Sequence, residues 1–236
     1  MAINMKYDDF LKHKEAAQGK IKKGERTRNR IKISVAKLLN VISYSDLRVV
    51  DICNEAKIAP GTFYIYFENS SIVVEQVLSE FIDMYFEIIS QIHSDDPFES
   101  IHLANMAYLE NARTNPGLTR CVFGMRIDYP EFSKLHQEAN SKLYSRIAKN
   151  VTKHVSGTDY EVSYIAVHAM GSMMDEVAGR IAFNDGPYMG EIFGAEGVDD
   201  EGYCECLSVI WYRTLYGKLP TNVKTDLAKR FMKIGT

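Results

Sequence analysis

Residues 49–67 read VVDICNEAKIAPGTFYIYF, and this stretch decides the fold. Ser45 is a good N-cap and Asp46 suits a first turn, so a helix is expected from Asp46. Its buried side would carry Leu47, Val49 or Val50, Ile52 and Ala56. Pro60 suits the first position of a new helix, because its missing N–H costs nothing there, although Ala59 is a poor cap. This next helix has room for about two turns before Glu68, Asn69 and Ser70. Ala59, Pro60, Gly61 and Thr62 are small and let a backbone come close to whatever it meets. Phe63 and Phe67 would anchor the helix to a core.

Upstream, Ile31, Val35, Leu38, Leu39 and Ile42 fall at i, i+4, i+7, i+8 and i+11, one apolar stripe of a helix beginning near Gly24 and Glu25. Three helices within about 45 residues, the last two joined by a tight turn, make a helix-turn-helix arrangement. Residues 1–24 are polar and basic, and are expected to form a flexible or partly helical arm. Downstream, the apolar pattern predicts long helices over 70–93, from a cap at Asp96 with Pro97 and Glu99 to Thr114, over 117–125, from about Pro130 to Val155, over 159–183 and over 203–217. Residues 184–202 are rich in Gly and Asp and read as a long loop. No segment alternates with period 2. The expected fold is all-α: a basic arm (1–24), a three-helix head (25–69) and a helical body (70–236).

Net charge is −3 over 236 residues, which by itself argues against a nucleic-acid partner. Its distribution argues the other way. Residues 1–60 hold thirteen Lys and Arg against seven Asp and Glu, while the remainder carries a net of −9. One end is suited to a polyanion and the other is not. The four cysteines are sparse and lack CxxC spacing, so neither a disulfide framework nor a metal site is expected, and a reducing cytoplasm fits. Cys204 and Cys206 point about 200° apart on a helix, at ~100° per residue. Met1 is followed by Lys6, Asp8 and Asp9 with no apolar stretch behind them, and no window reaches the ~18 apolar residues needed for a span, so no membrane contact is expected. A phosphate-binding glycine loop, an HExxH sequence and a nucleophile elbow are all missing, so no enzyme and no cofactor is expected.

The segment from Glu25 to Val73 resembles the DNA-binding domain of the tetracycline-repressor-like (TetR/AcrR) regulators. ERTRNRI, residues 25–31, is similar to the start of that family's first helix, and Asp51, Ile52, Ala56, Gly61, Thr62, Tyr64 and Phe67 stand at its typical helix-turn-helix positions. The resemblance implies that the short helix enters the major groove, with Ala59, Pro60, Gly61, Thr62, Tyr64 and Tyr66 near DNA, and with Thr27, Arg28 and Arg48 opening the other helices toward phosphate. Three positions depart from the pattern. Ser70 stands where a phosphate-binding Lys is usual, Lys57 where the turn usually has Gly, and Ala59 where Ser or Thr is usual. The basic arm, through Lys20, Lys22, Lys23 and Arg26, is expected to supply the attraction Ser70 lacks.

The same resemblance implies a homodimer on a palindromic double-stranded operator, since one short helix reads few bases and two of them ~34 Å apart read a repeat. It implies a small-molecule effector, largely apolar, held among the body helices, and a repressor that the effector releases. Met106, Tyr108, Phe123, Met125, Tyr144, His168, Met173 and Met174 are the candidate pocket residues, with His102, Asp175 and Glu176 as further polar groups. Gly171 and Ala178 on one of the last two long helices, and Trp211 and Leu215 on the other, are the candidate dimer contacts. The competing reading is a helical interaction module whose helix-turn-helix binds no DNA.

Overall fold

The computed structural model describes residues 5–19, 21–124, 130–183 and 198–234. Among them there is no strand, and no helix is long and apolar enough to cross a membrane. The elements are α1 (Tyr7–Gln18), α2 (Lys23–Leu38), a 3-10 turn (Tyr44–Asp46), α3 (Val49–Ala56), α4 (Pro60–Tyr66), α5 (Ser70–Ser90), α6 (Pro97–Thr114), α7 (Pro116–Gly124), α8 (Pro130–His154), α9 (Tyr160–Phe183), α10 (Asp200–Tyr216) and α11 (Asp226–Phe231).

Side-chain caps set several boundaries. Asn69 Oδ1 accepts from Ile72 N at 3.0 Å, Asp96 Oδ1 from Phe98 N at 2.9 Å and Asp199 Oδ1 from Gly202 N at 2.7 Å. Each stabilises its helix by about 1 kcal/mol. Asp199 therefore starts α10 inside the stretch expected to be a loop; residues 184–197 of that stretch lie outside the described residues.

The second head helix starts later than its sequence suggests. Ser45 caps nothing: Ser43 Oγ donates to Asp46 Oδ2 at 2.6 Å and the chain makes a 3-10 turn. The helix begins at Val49, where Asp51 Oδ2 accepts from Arg48 N at 3.2 Å. The Ser43, Ser45 and Asp46 side chains bond to one another, so none of them is left to cap a helix here.

The stretch read as an arm contains a packed helix. Tyr7, Phe10 and Leu11 of α1 are buried against the head. The Tyr7 hydroxyl donates to Glu80 of α5 at 2.9 Å, and Tyr7 N donates to Asn115 at the end of α6 at 2.9 Å. Glu80 also takes Lys32 of α2 at 2.9 Å, in an ion pair whose side chains are 6% and 20% exposed. Removing either partner of so enclosed a pair would strand a charge, at a cost of about 3–5 kcal/mol.

Two hydrophobic clusters organise the chain. The first joins α1 to α5 with α7 and Phe132 of α8, so the expected boundary between residues 69 and 70 falls inside a continuous core. The second joins α6, α8, α9 and α10. Between them, Gly117 at the start of α7 sits on the last turn of α2, where a Cβ would overlap the Leu39 carbonyl, and Gly117 N donates to Asn40 Oδ1 at 2.9 Å. Arg120 then reaches Asn40 O at 3.1 Å and Ala182 O of α9 at 2.8 Å. Helix α11, which no apolar stripe announces, is held by the buried Glu205 carboxylate, which accepts from Lys224 N and Thr225 N at 2.7 Å each.

Candidate nucleic-acid interface and body cleft

Helix α4 is clamped from behind. Phe63 and Phe67 are buried with ring centroids 5.9 Å apart, and Ile52 and Ala56 of α3 lie in the same core. Their i, i+4 spacing turns the opposite face outward. Gly61 is exposed, and a Cβ there would meet nothing within 4 Å, so the fold itself has no need of glycine at this position. Tyr64 is 59% and Ile65 76% exposed. Ala59 and Pro60 are exposed and Thr62 is half-buried. Ile65 was not singled out from the sequence, although the spacing of Phe63 and Phe67 puts it on the outer side.

The turn before α4 holds Lys57 at φ 52°, in the left-handed region, so its side chain bears strain that glycine avoids. Arg48 is exposed at the start of α3. Thr27 is half-buried and donates to Lys23 O at 3.2 Å. Arg28 faces the protein: its guanidinium lies 4.7 Å from the Phe67 ring centroid and donates to Gln76 Oε1 of α5 at 2.8 Å. Its position at the start of the helix suggested phosphate, but the Phe67 face and the Gln76 amide draw it sideways. Tyr66 is half-buried in the same core, with its hydroxyl beside Gly24. Lys22, Lys23, Arg26 and Arg30 are exposed on or beside α2; Lys20 lies outside the described residues.

The body carries a cleft of about 930 Å³ between α5, α6, α8, α9 and α10. Tyr108, Tyr144 and Met174 line it, as does Asp175. Asp175 accepts from the Tyr108 hydroxyl and from Asn140 Nδ2 at 3.3 Å, and lies 3.5 Å from His136 Nε2. Burial, and then the charge of Asp175, push the Tyr108 and Tyr85 phenols well above their ordinary value, so both stay protonated donors. Phe123 borders a separate, smaller cavity of about 50 Å³ and meets His136 edge-on. Met106 and Met173 pack into the second core rather than lining the cleft. His168 is exposed, its ring 5.7 Å from that of Tyr144. Met125 lies outside the described residues. His136 and Asn140, which the sequence did not flag, share one face of α8 at i, i+4.

The four candidate dimer contacts are buried within the single chain. Gly171, Ala178, Trp211 and Leu215 all face the interior of one chain. Gly171 makes room for Tyr144, whose hydroxyl a Cβ would overlap, and Trp211 and Leu215 line the cleft. The resemblance assigns both pairs to a partner, whereas apolar spacing identifies a buried face without saying what buries it. The outer side of α9 carries instead Val162, 58% exposed, Ile165, 69% exposed, and Ala169. Among the described residues the four cysteines are buried and free, and no group of three His, Cys, Asp or Glu side chains is placed to hold a metal ion.

No protein-family model matches the chain, and no curated protein matches it by sequence. Solved structures do. A transcriptional regulator from Rhodococcus sp. Rha1 superposes with a TM-score of 0.67 at 12% identity, over 82% of this chain and 99% of that one. A TetR-family transcriptional regulator from Marinobacter aquaeolei VT8 matches with a TM-score of 0.59 at 13% identity, over 90% and 98% of the two chains. The fatty acid degradation regulator FadR from Bacillus halodurans matches with a TM-score of 0.61 at 15% identity, over 78% and 93%. The helices described above therefore build the fold of the TetR-type transcriptional regulators.

Proposed function

We propose that the chain is a DNA-binding transcriptional regulator that reads a palindromic operator as a homodimer and is released from it, as a repressor, by a small molecule held in the body cleft. The observation that carries this reading is α4. A seven-residue helix is fixed by two buried phenylalanines while Gly61, Tyr64 and Ile65 are exposed, with open space above Gly61. Such a helix can lay its first turn against base edges in a groove ~12 Å wide. Ala59, Pro60, Gly61, Thr62 and Tyr64 are the proposed groove contacts, and Arg48 and Thr27 flank them toward phosphate. Arg28 and Tyr66 act by holding α4 in place.

Dimer contacts are proposed on Val162, Ile165 and Ala169 of α9, because apolar side chains at i, i+3 and i+7 left this exposed mark a partner surface. The effector shifts the population between two dimer states whose α4 helices are spaced differently, through α5 and the contact of α7 with the end of α2. A coupling of ~1–3 kcal/mol is enough for a useful switch.

Lys22, Lys23 and Arg26 supply the phosphate attraction that Ser70 lacks. Deleting residues 1–23 is a poor test of this, since it would strip Tyr7, Phe10 and Leu11 from the core. Replacing the three cations by Gln leaves α1 in place, and should lower affinity for all sequences and flatten the salt slope by about one per lost phosphate contact. Selection from random duplexes tests the whole reading. A palindrome is expected, and failure of any duplex to bind at low salt would leave only an interaction module.

A further inference from the structure

The cleft has two chemically different ends. Its inner wall is apolar, with Ile101, Leu143, Met174, Trp211 and Leu215. Its α8 rim carries Arg146, Lys149 and Lys153 at i, i+3 and i+7, all exposed and all lining the cleft. None of the three makes an ion pair among the described residues. The acidic residues on the same wall are Asp95, fully exposed near His93, and Asp175, already engaged by Tyr108 and Asn140. At 1.5 Å per residue, the basic rim runs from about 9 to about 20 Å along α8 from the level of Asn140. Residues 61–236 carry a net of −9, so a one-signed basic stripe at the cleft is opposite to the charge of the body around it.

We infer that the cleft takes an anionic amphiphile: an alkyl or acyl tail lies against the apolar wall, and a carboxylate or phosphate head rests on Arg146, Lys149 and Lys153. This deepens, and rests on, the reading of the cleft as the effector site. The volume lies within the ~300–1,000 Å³ usual for ligand pockets. An uncompensated cationic rim favours an anion over a neutral or cationic head, because the three charges already face one opening and no counter-charge has to be displaced.

Trp211 is the single tryptophan and lies in the cleft wall, so its emission reports occupancy directly. Dodecanoate, dodecyl phosphate, dodecanol and dodecyltrimethylammonium are titrated into the full chain, each below its micelle-forming concentration. The anions should shift the emission saturably and bind about tenfold tighter than the alcohol, with the cation weakest. The triple substitution R146A/K149A/K153A should bring the anions to the level of the alcohol while leaving the alcohol unchanged. Stronger response to dodecanoate names a carboxylate head, and stronger response to dodecyl phosphate names a phosphate; either supports the proposal. Equal binding of the alcohol or the cation, no saturable shift with either anion, or anion affinity untouched by the triple substitution would overturn it. Operator binding is followed in parallel. Anion binding that leaves operator affinity unchanged would remove the sensing role and keep the site, whereas loss of duplex binding altogether would remove the regulator reading and leave the cleft result standing.

Discussion

Gly61 and Gly171 are the same residue put to opposite uses. At Gly61 the space above the backbone is empty, while at Gly171 it is filled by the Tyr144 hydroxyl of the same chain. The first is open to another molecule and the second is required by the protein's own packing. The contrast extends to their surroundings. The head is built from short helices whose ends are set by local chemistry and whose outward faces are small. The body is dominated by five helices of 17 to 25 residues, with the shorter α7 and α11 beside them, whose faces are assigned by the neighbours they meet.

The comparison can be broken by substitution. The largest expected effect is on the clamp: F63A should destabilise the head by about 3–5 kcal/mol, lowering the thermal midpoint and abolishing duplex binding together. G171L should cost about 1–3 kcal/mol through displacement of Tyr144, and duplex binding should survive at low temperature. If G171L left the thermal midpoint unchanged, the packing role of this glycine would be wrong. G61A and Y64A should each reverse that pattern, leaving stability within about 0.5 kcal/mol of the parent while weakening operator binding by about 1–3 kcal/mol. Stability that fell while binding held would place Gly61 with Gly171. The smallest effect is at the turn: K57G should raise stability by about 0.5–1 kcal/mol by relieving the left-handed backbone, seen as a rise of a few degrees in midpoint, and should lessen the salt slope of duplex binding.

Much of this was legible before any coordinates. The i, i+4 pair Phe63 and Phe67, Pro60 at the first helical position and the run of small residues before Thr62 define a short outward helix by local rules alone. The cap at Asp96 sits beside the helix it begins. The two misreadings have different causes, one local and one distant in sequence. Ser45 lost its cap role to a bond between Ser43 and Asp46, and α1 looked like a polar arm because its few apolar residues, Tyr7, Phe10 and Leu11, are too sparse to signal burial on their own. Their partners, Glu80 and Asn115, are 73 and 108 residues away from Tyr7.

What the sequence determined by itself is most of the longer helices, α1 and α11 excepted, because periodicity and capping are properties of neighbours along the chain. What only the tertiary structure decided is the occupant of each stripe. It turned Trp211, Leu215 and Gly171 inward to a cleft, left Val162 and Ile165 outside, and drew Arg28 onto Phe67 and Gln76. The physical reason is that burial is non-directional: an apolar face is stabilised equally by its own chain, a second copy or a ligand, and only the arrangement of the other helices chooses among them.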